Sequence, residues 1–175
     1  MGLPKRIVVV CSGNTCRSAM AEAMLRRALA DEFGGRADGV AVESAGISAR
    51  EGDPASENAR AVMMERGLDI SSHRARLLTE DVIEGADLML VMTSAHRRAV
   101  LSRHPSMEGK VFTLNEFAGL APELGPDTHD PFGGPVEVYR ATADNIKRAI
   151  DGAIRRIRGM STKNRTGPEE PPASE

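Results

Sequence analysis

The sequence predicts an α/β fold in three layers, a four-stranded parallel sheet between two layers of helices. RIVVV (6–10) and the apolar part of DLMLVM (87–92) lack the alternation of half-exposed strands, so they read as strands buried on both faces. Such runs alternate with helix-patterned segments in the order β-α-β-α-β-α-β-loop-α, as parallel strands joined by crossover helices require. The 175 residues, 41% hydrophobic and 27% charged, suit one soluble domain with a substantial core.

The first strand, 6–10, runs through Cys11–Arg17 into a helix at 18–31 (SAMAEAMLRRALAD). That segment is rich in strong helix formers, with Ser18 at the cap position. VAVES (40–44) is the second strand. Asp53-Pro54 then supplies an N-cap followed by proline at the first helical position, and Gly67 stands where that helix must stop. Between them Ala55, Ala59, Val62 and Met63 share one face. A short helix near 80–84 precedes the third strand, 87–92. Ser94 is placed to cap a helix through Arg103, stopped by Pro105, and KVFTL (110–114) is the fourth strand. A loop rich in Gly and Pro, 118–135, leads to a last helix over 136–158. There Tyr139, Ala143, Ile146, Ile150, Ile154 and Ile157 form one stripe. The domain is expected to span 1–160. Residues 161–175 are polar and proline-rich with nothing to bury, the pattern of a disordered tail.

Four strands with these crossovers predict the flavodoxin-like order 2-1-3-4, whose crevice opens at the carboxyl ends of strands 1 and 3. The Cys11–Arg17 loop and the long loop after strand 4 both leave the sheet on that edge. Composition narrows the function further. A net charge of −2 offers no positive field for nucleic acid. No apolar run approaches the ~20 residues of a membrane span, and the N-terminus lacks a signal-peptide pattern. The expected location is the cytoplasm, and the expected state a monomer. Two cysteines do not build a disulfide framework there, and four histidines at no paired spacing do not complete a zinc site. No metal or other cofactor is expected.

CSGNTCR (11–17) joins a buried strand to a helix N-terminus, a geometry that aims backbone N–H groups at one point and suits an anion. Gly13 and Asn14 tolerate the left-handed backbone such a wrap needs. Arg17 adds a planar fork for two phosphate oxygens. The same donors favour a thiolate: helix N-termini and nearby cations bring cysteine pKa values from ~8.5 down to ~3.5–7.5. One loop can therefore bind a phosphoryl group and attack it through Cys11, with Ser18 placed to hydrogen-bond the sulfur. The bland alternative is a helix cap beside a buried cysteine. A general acid for the leaving group contributes ~10²–10⁴-fold. THDPFGG (128–134) offers Asp130 on the correct edge, although Asp-Pro is also a common turn dipeptide and Asp127 and His129 are neighbouring rivals.

VVVCSGNTCRS (8–18), SAG (44–46), HRARLLTEDV (73–82), ADLMLVMT (86–93) and DPFGG (130–134), in this order across 6–158, resemble the low-molecular-weight protein tyrosine phosphatases. The resemblance implies Cys11 as nucleophile, Arg17 as phosphate clamp, and Asp130 as acid and then base for the attacking water. The phosphate-binding loop would comprise Ser12, Gly13, Asn14, Thr15, Cys16, Arg17 and Ser18. Asn14 would hold its strained shape with help from Ser44 and His73. Cys16 either packs at the helix start or, as the resemblance implies, would trap oxidised Cys11 as a reversible disulfide. Tyrosine-specific members commonly carry isoleucine before the second cysteine, whereas Thr15 here resembles the protein arginine phosphatase branch. A hydroxyl suits a polar guanidinium, and Phe132 followed by two glycines leaves little to sandwich a phenol. Ala19 departs from the proline usual in the family, which implies slightly less rigidity. The partners implied are phosphorylated proteins, carrying phosphoarginine or phosphotyrosine.

Three rival functions remain at this level. SGNT (12–15) resembles the phosphate loop of flavodoxins, but 3% aromatic residues, with no Trp and one Tyr, leave little to stack a flavin. An arsenate reductase that passes a disulfide onward needs cysteines beyond Cys16, and the sequence has none. A non-catalytic phosphate-binding module is the third.

Overall fold

The computed structural model describes residues 2–162. Its centre is β1 (Arg6–Cys11), paired in parallel with β2 (Ala41–Gly46) on one side and β3 (Leu88–Val91) on the other. β3 pairs in parallel with β4 (Val111–Thr113), so the sheet has the predicted order β2-β1-β3-β4. Successive side chains of a strand point to opposite faces, and this splits the core in two. Ile7, Val9 and Cys11 join the layer built by α1 (Arg17–Phe33), α2 (Glu57–Glu65) and α7 (Val136–Thr162). Val8 and Val10 join Ile83 of α3 (Glu80–Glu84) and Val100 of α4 (Ser94–Arg103) on the other side. The predicted stripe on α7 is buried at all six positions. Among the described residues, no helix is long and apolar enough to cross a membrane.

The differences from the sequence reading lie at element ends. α1 begins at Arg17 with Cys16 at its N-cap, so Ser18 sits inside the first turn and does not cap. α2 begins at Glu57, where Ser56 accepts from the Ala59 amide; Asp53 does not cap, and Pro54 bridges to Arg74 instead. Thr93, not Ser94, caps α4. At α2 and α4 more than one polar residue lies near the helix start, and the path by which the chain enters the helix decides which oxygen meets the free amides. The predicted loop 118–135 contains one helical turn, α6 (Ala121–Leu124), preceded by α5 (Leu114–Phe117). α7 runs past its expected end at 158 as far as Thr162, so Ser161 and Thr162 of the expected tail are helical. The remainder of the expected tail, 163–175, lies outside the described residues.

Candidate active site

Cys11 closes β1 with its side chain in the core-facing register, 3% exposed. The backbone then reverses through Asn14, whose φ of 56° makes it the one non-glycine with positive φ among the described residues. The left-handed region is costly for a residue with a Cβ, and it persists only where the surroundings hold it. Every polar group of the buried Asn14 is engaged. Its amide N–H donates to Cys11 Sγ at 3.2 Å, and its Oδ1 accepts from the Arg76 amide at 2.9 Å. The Nδ2 donates to Ser18 Oγ and Ser44 Oγ at 2.8 and 2.9 Å, and the carbonyl accepts from His73 Nε2 at 2.6 Å. Ser44 donates onward to Glu22, itself paired with Arg26 at 2.8 Å. Ser18 Oγ, which accepts from Asn14, lies 2.9 Å from Cys11 Sγ and is placed to donate its hydrogen to a thiolate there. Ser44 and His73 therefore both hydrogen-bond Asn14. Glu22 was not legible, since one Glu on a helix face has no distinguishing pattern.

Gly46 shows why the SAG segment matters. A Cβ there would lie 2.5 Å from the Ser12 carbonyl oxygen and 2.9 Å from the Asn14 amide nitrogen. β2 thus approaches the loop backbone more closely than any side chain permits. Gly46→Ala is expected to lower stability by about 1–3 kcal/mol. It should also lower kcat/KM by about 10²-fold, because an ångström-scale misplacement reaches the sulfur. Urea midpoints and steady-state kinetics on one preparation check both numbers.

Arg17, 4% exposed, reaches from the first turn of α1 to the loop after β4. Its Nη1 donates to the Thr128 carbonyl at 3.1 Å and its Nη2 lies 3.3 Å from Asp130 Oδ2. The Thr128 amide donates to the Met92 carbonyl at 2.8 Å, which ties this loop to the end of β3. Asp130 Oδ1 also accepts from the Phe132 amide at 3.1 Å, so Asp130 makes its turn and faces Arg17 at once. The rival Asp127 accepts from the Ser94 amide and hydroxyl at 2.7 and 2.9 Å, at the N-terminus of α4. His129 is exposed. A hollow of about 230 Å³ is lined by Cys11, Ser12, Gly13, Thr15, Cys16, Arg17, Asp130 and Phe132. It is smaller than a 690 Å³ hollow that touches Ser44 and His73 from behind the loop. Convergent donors, rather than volume, mark the smaller one as the site.

Cys16 is buried, and both cysteines are free thiols. Its sulfur lies 3.3 Å from Ser56 Oγ, to which it donates, and 3.4 Å from Tyr139 Oη. Burial and the neighbouring Cys16 thiol raise the Tyr139 pKa. Tyr139 read as a stripe residue in the sequence, and nothing there signalled this contact.

His96 was also missed. It lies in the first turn of α4, 8% exposed, with Nε2 2.9 Å from Ser12 Oγ. Burial, with Arg17 nearby, pushes its pKa down to about 4, against the opposing pull of Asp127 and Asp130. Between pH 6.5 and 4 the unfolded chain therefore binds a proton that the native state does not, so stability falls as pH falls through that window. The expected loss is roughly 1–3 kcal/mol. Urea midpoints at pH 7 and pH 4.5 measure it, and in His96→Gln this component of the loss should vanish.

Comparison with known proteins follows the same lines. Residues 6–162 match the family described as low molecular weight phosphotyrosine protein phosphatase. The protein-arginine-phosphatase of Geobacillus stearothermophilus is 42% identical over 85% of this chain and 93% of its own. The probable low molecular weight protein-tyrosine-phosphatase EpsP of Ralstonia solanacearum is 42% identical over 89% of this chain and 98% of its own. The solved YwlE arginine phosphatase of Geobacillus stearothermophilus superposes with a TM-score of 0.80 at 39% identity, covering 91% of this chain and 97% of that one. The chain belongs to the low molecular weight phosphotyrosine protein phosphatase family and is a protein phosphatase.

Proposed function

We propose that this protein hydrolyses phosphoarginine in phosphorylated proteins through a cysteinyl-phosphate intermediate, without a cofactor. The observation that carries the mechanism is the ring around Cys11 Sγ, where the Asn14 amide and Ser18 hydroxyl converge. Sγ attacks phosphorus while Arg17 and the loop amides hold the non-bridging oxygens. As the bond from phosphorus to the leaving nitrogen breaks, Asp130 gives that nitrogen its proton. Asp130 then takes a proton from water, whose oxygen attacks phosphorus and expels the Cys11 thiolate. The Ser18 hydroxyl steadies the departing sulfur. Should Cys11 be oxidised, Cys16 is the thiol beside it in the loop, and its capture as a disulfide would guard the nucleophile.

Thr15 on the wall of the hollow supports the guanidinium reading, since a hydroxyl meets an N–H that an alkyl group leaves unpaired. A second reading, phosphotyrosine, is favoured by Phe132, which is 76% exposed at the mouth and can stack on a ring. The deciding experiment compares kcat/KM for phosphoarginine and phosphotyrosine peptides in wild type and Thr15→Ile. Wild type is expected to prefer phosphoarginine, and Thr15→Ile to shift the ratio toward phosphotyrosine by about tenfold or more. A wild type that prefers phosphotyrosine overturns the substrate assignment and leaves the mechanism standing.

A further inference from the structure

We propose that Ser12, oriented by His96, is a second specificity residue, contacting the phosphorylated guanidinium from the wall of the hollow. The inference rests on the phosphoarginine reading and concerns a pair of residues 84 positions apart. Ser12 is exposed and lines the hollow together with Thr15 and Asp130, which places it on the surface that a substrate meets. A serine hydroxyl at a cavity mouth ordinarily rotates among several partners. Here it is held by the Nε2 of a buried imidazole at 2.9 Å, itself placed by the first turn of α4, whose His96 amide donates to Thr93 Oγ1 at 3.1 Å.

The tautomer follows from the other ring nitrogen. His96 Nδ1 is buried and has no hydrogen-bond partner among the described residues. A buried N–H without an acceptor is rarer and costlier than an unused lone pair. Nδ1 therefore carries the bare lone pair, and Nε2 carries the hydrogen and donates it to Ser12 Oγ. Burial and the facing Arg17 keep the ring neutral at pH 7, with Asp127 and Asp130 as the opposing charges. Ser12 is left with one lone pair and its own hydrogen for the hollow. A phosphorylated guanidinium presents N–H donors beside phosphoryl acceptors and can use both. A phenyl phosphate has no N–H to offer, and its ring desolvates the hydroxyl without return. The anchored Ser12 hydroxyl, beside Thr15, thus makes the wall polar where an apolar ring would rest.

The test measures kcat/KM for matched phosphoarginine and phosphotyrosine peptides on single preparations of wild type, Ser12→Ala, His96→Ala, His96→Gln and the Ser12→Ala/His96→Ala double variant. Taking the ratio of the two substrates cancels any change in the folded fraction. The phosphoarginine preference should fall about tenfold in Ser12→Ala and in His96→Ala, and no further in the double variant, because both remove one contact. His96→Gln keeps an N–H donor and should retain more of the preference than His96→Ala. Equal losses on both substrates in Ser12→Ala, additive losses in the double variant, or no advantage of Gln over Ala would overturn the inference while the phosphoarginine reading survives. A wild type that prefers phosphotyrosine overturns both.

Discussion

Cys11→Ser is expected to lower kcat by about 10⁴–10⁶-fold on any phosphorylated substrate, the range seen when a nucleophile is removed from an intact site. The geometry gives the reason. Among the described residues, the hydrogen-bond partners of Cys11 Sγ are the Asn14 amide, a donor, and the Ser18 hydroxyl, which can donate to a thiolate. Such a ring can stabilise a thiolate, but has no base to take a proton from a serine hydroxyl, which stays un-ionised near neutral pH. The near-isosteric change should leave the fold intact, so an unchanged urea midpoint accompanies the loss. Retention of full turnover by Cys11→Ser would remove Cys11 from the mechanism, whereas a wild type that binds phosphate without turnover would support the non-catalytic phosphate-binding module.

Arg17→Lys keeps the charge and should still lower kcat/KM by about 10³-fold. Its guanidinium joins the Thr128 carbonyl, the Asp130 carboxylate and the hollow. A lysine ammonium is a point donor without the planar fork that spans two phosphoryl oxygens. It would also loosen the loop that carries Asp130, so the clamp and the acid suffer together. Because the charge remains, binding of inorganic phosphate should weaken far less than kcat/KM. Competitive inhibition by phosphate beside steady-state kinetics separates the two effects. A loss below tenfold would show that charge alone, and not the fork, does the work.

The site's local chemistry was readable because it is contiguous. Cys11, Gly13, Asn14, Arg17 and Ser18 lie within eight residues between a strand and a helix, and a turn of that kind carries its own donors. Apart from the resemblance, which implied Asp130, the choice between Asp127 and Asp130 was not readable from spacing. They lie three residues apart in one loop, and the distinction depends on Ser94 of α4 occupying Asp127 while the Thr128–Met92 bond brings Asp130 to Arg17. His96 and Tyr139 reach the loop from remote helices, at separations that leave no spacing to detect.

By itself the sequence determined the sheet order, the helix faces and the phosphate loop, since each follows from periodicity or from neighbouring residue types. Helix caps, the pairing of Asp130 with Arg17, the close approach at Gly46 and the anchoring of Ser12 by His96 were decided only by the tertiary structure. These depend on which of several chemically equivalent groups a distant element brings within about 3 Å, a fact about packing that no local pattern encodes.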